Sequence, residues 1–183
     1  MKKSRDQIYN ELLVIKSQQG DREAFNELVG RWQKRLWNYA YHVTGTEPAA
    51  WDIVQESWHG IIKGIRKLND ASLFGSWAFR IVNNKCADWL HKQRQQHKLD
   101  DELVKNIRDE SERPDSNDKS EKLLEAVRKL SPERRALVTL RYREGFDIEQ
   151  IAQILGVPEG TVKSRLHRTL NQLKEIVERK QNE

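Results

Sequence analysis

The sequence is poor in cysteine, proline and glycine, and it contains no long apolar run. A lone cysteine, Cys86, excludes a disulfide framework and a four-cysteine zinc site. Four prolines and nine glycines in 183 residues are too few for the many turns of an all-β protein. Nothing approaches the ~18 consecutive apolar residues of a membrane-spanning helix. The N-terminus, Met1-Lys2-Lys3-Ser4-Arg5-Asp6-Gln7, leads into amphipathic sequence without a signal-peptide core, so a cytoplasmic protein is expected. A glycine-rich phosphate loop is missing too. The five histidines make one suggestive pairing, Glu56 with His59 at i, i+3. A helical di-metal site needs a second Glu-x-x-His and two more carboxylates, and the chain has no second Glu-x-x-His. No metal site is therefore expected.

Charge is plentiful and unevenly placed. The chain carries net +5. Residues 1–98 hold 16 Lys and Arg against 10 Asp and Glu, a net of +6; residues 99–118 hold 3 against 8, a net of −5; residues 119–183 hold 14 against 10, a net of +4. Two basic blocks are thus joined by an acidic segment whose only aliphatic residues are Leu99, Leu103, Val104 and Ile107. So little apolar surface cannot offset the entropy of ordering, and 99–118 reads as a flexible linker. All six tryptophans precede it. Basic blocks suggest a polyanionic partner.

Both blocks read as helical. Asp21 is a candidate N-cap for a helix with Ala24, Phe25, Leu28, Val29, Trp32, Leu36, Trp37, Ala40 and Tyr41 at three- and four-residue steps, ended by Gly45. Thr46-Glu47-Pro48 opens the next, with Ile53, Val54, Trp58, Ile61, Ile62, Ile65 and Leu68 as its stripe. Asn69-Asp70-Ala71-Ser72 is a loop signal. A third stripe follows, with Trp77, Ile81, Val82, Trp89 and Leu90. After the linker, Leu123, Leu124, Val127 and Leu130 predict one helix. Ser131-Pro132-Glu133 starts another, running through Leu137, Val138 and Leu140 to Gly145.

The sharpest motif lies near the C-terminus. Asp147-Ile148-Glu149-Gln150 is a capping box. It opens a short helix with Ile148, Ile151, Ala152 and Leu155, and Gly156-Val157-Pro158 makes a turn. The next helix places Val162, Leu166, Leu170, Leu173 and Val177 on one face and Lys163, Ser164, Arg165, His167 and Arg168 on the other. A small residue where the helices cross, a glycine at the turn and donors near the start of the second helix form a helix-turn-helix pattern. A merely solvated basic face is the plain alternative; caps, turn and stripe in this order favour DNA binding. In the N-terminal block Asp52, Gln55 and Glu56 share a helix face at i, i+3 and i+4. Residue chemistry alone leaves that patch open between a docking site for a basic partner and an ordinary solvated face.

These residues carry a family resemblance. Gly20-Asp21-Arg22-Glu23-Ala24-Phe25-Asn26-Glu27-Leu28 resembles the opening helix of bacterial RNA polymerase sigma factors of the extracytoplasmic-function branch. Asp52-Ile53-Val54-Gln55-Glu56 is similar to their D-x-x-Q-E polymerase-docking motif. The stretch Phe74 to Asn84 resembles their F-x-x-W-L-x-R-I-x-x-N segment. Leu130 to Arg135 and Ile151 to Arg165 resemble their C-terminal domain. The resemblance spans about residues 8–178.

It implies an all-α protein of two small domains: a region-two helical bundle over 1–98 and a region-four helix-turn-helix domain over 119–183, joined by the acidic linker 99–118. It further implies that Asp52, Gln55 and Glu56 dock on the clamp of the largest core-polymerase subunit, and that the linker threads toward the RNA exit path. Leu68, Asn69, Asp70, Arg80, Asn84, Lys85 and Lys92 would serve the minus-ten element, where a base leaves the stack at a cost of a few kcal/mol. Arg141, Thr161, Lys163, Ser164, Arg165, His167 and Arg168 would serve the minus-thirty-five element. Trp77 and Trp89 could stack on bases, although their helical spacing favours packing. Core polymerase, through its largest-subunit clamp and its flap, promoter DNA and an anti-sigma protein are the implied partners, with no membrane insertion, no cofactor and no enzymatic activity. The competing reading is a helix-turn-helix regulator with a ligand-sensing N-terminal block, which would need neither the docking motif nor the segment around Trp77.

Overall fold

The computed structural model describes residues 4–100 and 125–179, except the side chains of 97–100 and 177–179. Its helices are α1 (Arg5–Gln18), α2 (Arg22–Thr44), α3 (Glu47–Gly64), α4 (Phe74–Asp100), α5 (125–128), α6 (Pro132–Val138), α7 (Ile148–Leu155) and α8 (Glu159–Arg179). No strand occurs among the described residues. Nor is any helix there long and apolar enough to cross a membrane. No group of three or more His, Cys, Asp or Glu is placed there to hold a metal ion. The acidic linker falls, from 101 onward, outside the described residues, as do Leu123 and Leu124.

Local chemistry sets most helix ends. Ser4 and Gln7 form a capping box that starts α1, a signal easily missed so near the terminus. The Asp21 carboxylate accepts from the Glu23 and Ala24 amides at 3.0 Å. Gly45 ends α2 with φ 79°. Thr46 makes no side-chain cap bond; Pro48, in the first turn, supplies the preset backbone instead. Ser131 likewise holds a cap position without a side-chain cap bond. The helix expected to run on to Gly145 stops at Val138 and widens into a π-helical segment, Thr139–Arg143.

Packing in the N-terminal block is dominated by α2, α3 and α4. Helices α3 and α4 run antiparallel: Gly64 lies under Trp77, Gly60 beside Ile81, and Glu56 opposite Lys85. A Cβ on Gly64 would sit 2.8 Å from the Trp77 ring, so glycine is what lets that indole pack so close to α3. Trp77 and Trp89 are half-buried and packed against the core, as their spacing favoured.

The two blocks do not stay apart. One continuous apolar core runs from Leu13 and Val14 through Phe79 and Cys86 to Phe146, Ile151, Val162 and Leu166. Helix α7 packs on α4, and α6 packs on α2. Phe79 and Phe146 meet edge to face at 5.1 Å. Burying a side chain the size of Phe146 contributes about 1.5–3 kcal/mol. Arg35 donates to Glu144 at 2.8 Å, Arg94 to Glu133 at 2.7 Å, and Arg135 to the Val43 carbonyl at 3.0 Å. The last bond satisfies a carbonyl orphaned at the C-terminal end of α2.

Two expected core positions differ. Ile62 and Leu170 are 52% and 40% exposed. In α8 the buried row is Val162, Leu166, Thr169 and Leu173. Thr169 takes the place expected for Leu170, its hydroxyl donating to the Arg165 carbonyl at 2.8 Å. A donor satisfied within its own helix can be buried at little cost.

Candidate binding surfaces

The docking triple sits on the outer face of α3. Asp52, Gln55 and Glu56 are all exposed, above a buried row of Ile53, Val54, Ser57, Trp58 and Ile61. Glu56 is already engaged: Lys85 of α4 donates to it at 2.8 Å. That bond, with the ammonium's charge, holds the Glu56 carboxyl below its usual range and the Lys85 ammonium above its own. With both partners exposed, the pair is worth little as stability. Its effect is to tie a docking candidate to a minus-ten candidate.

The minus-ten candidates therefore divide. Lys85 and Lys92 lie on the flank of α4 that faces Glu56 of α3. Arg80 and Asn84, one turn apart and exposed, lie on another flank. Leu68 is half-buried, and Asn69 and Asp70 are exposed in the loop before α4. The Asp70 carboxylate accepts from the Ser72 amide at 2.8 Å, capping the short turn Ala71–Leu73. Gln18 of α1 pins the loop by donating to the carbonyls of Ile65, at 2.9 Å, and Leu68, at 2.7 Å. Nothing in the sequence near Gln18 announces this, because the partners are 47 and 50 positions away.

In the C-terminal block the helix-turn-helix geometry is present. Asp147 and Gln150 form the reciprocal capping box at 2.8 and 3.1 Å. Gly156 turns the chain with φ 66°, a conformation other residues rarely adopt. Lys163, Ser164, His167 and Arg168 face away from the buried row of α8, all exposed. Lys163 lies 3.7 Å from Glu159, Ser164 donates to the Thr161 carbonyl at 3.1 Å, and His167 neighbours Asn171 at 3.4 Å. Three expected members stand differently. Thr161 is half-buried on the flank of the helix. Arg141 is half-buried and donates to the Phe146 carbonyl at 3.0 Å. Arg165 turns to the opposite flank, where it borders a hollow with Ser131, Arg134, Leu137 and Arg168. The sequence pattern did not single out Arg134, which joins Arg165 and Arg168 to make that hollow cationic, with Glu133 the one carboxylate on its lining.

Comparison with known proteins decides the family. Residues 28–96 match Sigma-70 region 2 and residues 120–173 match Sigma-70, region 4. The ECF RNA polymerase sigma-E factor of Salmonella typhimurium is 31% identical over 177 residues, covering 89% of this chain and 91% of the relative. The chain belongs to the ECF RNA polymerase sigma factor family. A Haemophilus influenzae ECF RNA polymerase sigma-E factor is 28% identical over 187 residues, with 96% of each chain covered. Among solved structures, the sigma factor RpoE of Bartonella quintana, crystallised with the anti-sigma factor NepR, superposes with a TM-score of 0.70 at 23% identity, covering 84% of this chain and 96% of that one. The fold is thus the sigma fold. In this sigma factor the region-2 match ends within α4 and the region-4 match spans α5 to α8, so Phe79–Phe146, Arg35–Glu144 and Arg94–Glu133 are all contacts between region 2 and region 4.

Proposed function

We propose that this sigma factor docks on core RNA polymerase through α3 and directs promoter-specific initiation. Region 2 takes the minus-ten element through the loop at 68–73 and through Arg80 and Asn84, and region 4 reads the minus-thirty-five element with Lys163, Ser164, His167 and Arg168. A separate anti-sigma protein holds it inactive. The protein binds and positions nucleic acid in the bacterial cytoplasm and performs no chemistry of its own. The observation that carries this reading is the outer face of α8: a capped, glycine-turned helix pair presents two cations and two further hydrogen-bonding side chains on the side away from its core. The cationic hollow of Arg134, Arg165 and Arg168 suits phosphate and would set the register of that helix on the duplex.

The packing of region 4 on region 2 adds a requirement. Elements centred about ten and about thirty-five positions upstream of the start stand about 25 base pairs apart, which is ~85 Å of duplex at ~3.4 Å per base pair. A single compact body of this length has a radius of gyration of ~16 Å. It cannot reach both elements at once. Opening of the interface between the regions is therefore part of promoter engagement, and the closed arrangement is a storage form.

Run-off transcription with purified core polymerase over a promoter library tests the reading. The wild type should initiate from a defined motif pair. Asp52→Ala with Glu56→Ala should weaken core binding and leave the circular dichroism unchanged. Arg168→Ala should weaken promoter binding and lower its salt slope by about one. No promoter-dependent transcript with any core enzyme, together with undiminished core binding by the Asp52 and Glu56 variant, would overturn the reading.

A further inference from the structure

Gln18 ends α1, and it stands on a rigid base. Leu13, Val14 and Ser17 beneath it are buried, and the Ser17 hydroxyl donates to the Leu13 carbonyl at 2.7 Å. Its side-chain amide donates at the exit of α3, to the carbonyls of Ile65 at 2.9 Å and Leu68 at 2.7 Å. These carbonyls belong to residues three positions apart, so one planar NH2 group sets the spacing between them. The chain is leaving helical geometry there: Ile65–Lys67 is a short 3-10 turn, and Leu68 is extended, with φ −76° and ψ 108°. The corner after Gln18 lies along the same stretch, since a Cβ on Gly20 would stand 3.7 Å from the Arg66 guanidinium.

The far side of the loop is fixed as well. The Asp70 carboxylate accepts from the Ser72 amide at 2.8 Å, and the Asp70 carbonyl accepts from the Leu73 amide at 3.1 Å. The Ser76 hydroxyl, in the first turn of α4, donates to the Leu73 carbonyl at 3.1 Å. Asn69 therefore stands exposed between two anchored neighbours, Leu68 held from α1 and Asp70 held by the turn that leads into α4. An amide on a fixed backbone matches its donor and acceptor to one base edge. On a loose backbone it can swing to suit several.

We propose that Gln18 is a positioning residue for promoter reading: it touches no DNA, and it holds the loop at 68–73 in the one shape in which Asn69 selects its base. The inference rests on the minus-ten role proposed for this loop and adds the residue that sets its selectivity. Phosphate contacts hold any sequence, whereas selection among bases needs donors and acceptors kept in place. Loss of the Gln18 bonds therefore costs discrimination more than affinity. Both neighbours of the Gln18 amide are acceptors, so its isostere fails: a glutamate carboxylate has only acceptors and would face two carbonyl oxygens. A lysine ammonium carries three donors and can serve both carbonyls. Its added charge strengthens binding to every sequence alike, so it cancels in a ratio between promoters.

The test is promoter selection by holoenzyme assembled from the full-length protein and purified bacterial core RNA polymerase. The probes are the promoter that the wild type selects from the library and its single-base variants across the minus-ten element. The readout is the ratio of open-complex formation on the selected promoter to that on each variant, with melting curves and core affinity for every protein. Gln18→Ala should lower the ratio at least fivefold at one or two adjacent positions and leave core affinity unchanged. Gln18→Glu should lower it further, although it keeps the size of the side chain, and Gln18→Lys should restore it to within twofold of wild type. The reverse order, with Gln18→Glu the mildest, is that of a side chain that merely fills space and would overturn the proposal. So would a loss of binding that falls uniformly on every promoter. If Asn69→Ala changes the ratio and the Gln18 series does not, this inference falls and the minus-ten role of the loop stands. If neither changes it, or if the wild type selects no promoter, both fall.

Discussion

Arg35 and Glu144, 109 positions apart, are joined by a 2.8 Å bond from Nε to a carboxylate whose side chain is only 4% exposed. The same guanidinium lies over the Trp32 ring at 4.4 Å. A single side chain thus clasps region 4 while stacked on the core of region 2. Arg35→Ala leaves the Glu144 carboxylate buried without this partner, at a cost of about 1–3 kcal/mol. The radius of gyration from small-angle scattering should rise, and core and promoter binding should strengthen. A variant as compact as wild type would remove Arg35 from the clasp.

Cys86 offers a native probe of the same opening. It is 1% exposed and lines the hollow between α4 and the C-terminal helices with Leu90, Ala136 and Leu155. Burial pushes its thiol pKa up to about 12. Since the thiolate is the reactive form, labelling by a thiol reagent at pH 8 should be slow in the free protein. It should accelerate at least tenfold in Arg35→Ala. Equal rates in the two proteins would show that the clasp does not govern access to this hollow.

His42 couples the closed form to pH. It is half-buried near the end of α2, where Arg143 donates to its Nε2, and its neutral form is favoured by burial and by the charges of Arg143, Arg135 and Arg128. Its pKa in the closed protein lies below 6.5, so an opened or unfolded chain binds the proton more tightly. The closed form is then most stable above pH 6.5 and weakens as pH falls below it. Cys86 labelling, corrected for intrinsic thiolate content, should speed up between pH 7 and 5.5. His42→Gln should flatten that profile.

Two glycines in the helices of region 2 should respond in opposite directions. Gly30→Ala should raise stability by about 0.5–1 kcal/mol, because open space receives the methyl group. Gly64→Ala should cost about 1–3 kcal/mol, because the methyl meets the Trp77 ring at 2.8 Å. Urea melts of the two variants check both signs.

Much of this molecule is legible in its sequence, and the reasons are local. Caps at Asp21 and Asp147, the positive-φ glycines at 45 and 156, and three- and four-residue apolar steps act within one or two turns, so helices α2, α3, α7 and α8 can be read directly. The outward face of α8 follows from the same period. The apolar stripes, by contrast, missed Tyr39, Val43 and Phe79. Tyr39 is fully buried and donates to Asn83 at 2.8 Å; Val43 and Phe79 face Arg135 and Phe146 of region 4. A helix covered on two sides has two buried stripes, and its period reveals only the stronger.

By itself the sequence determined the helical class, the two charged blocks, the helix-turn-helix and the family. All of these depend on residue type and short spacing. Only the tertiary structure decided that the two regions share one core, that Lys85 belongs to Glu56, and that Gln18 pins the loop before α4. Those outcomes depend on which distant surfaces meet, and they are set by the burial of apolar area and the satisfaction of polar groups across tens of positions, which no local pattern encodes.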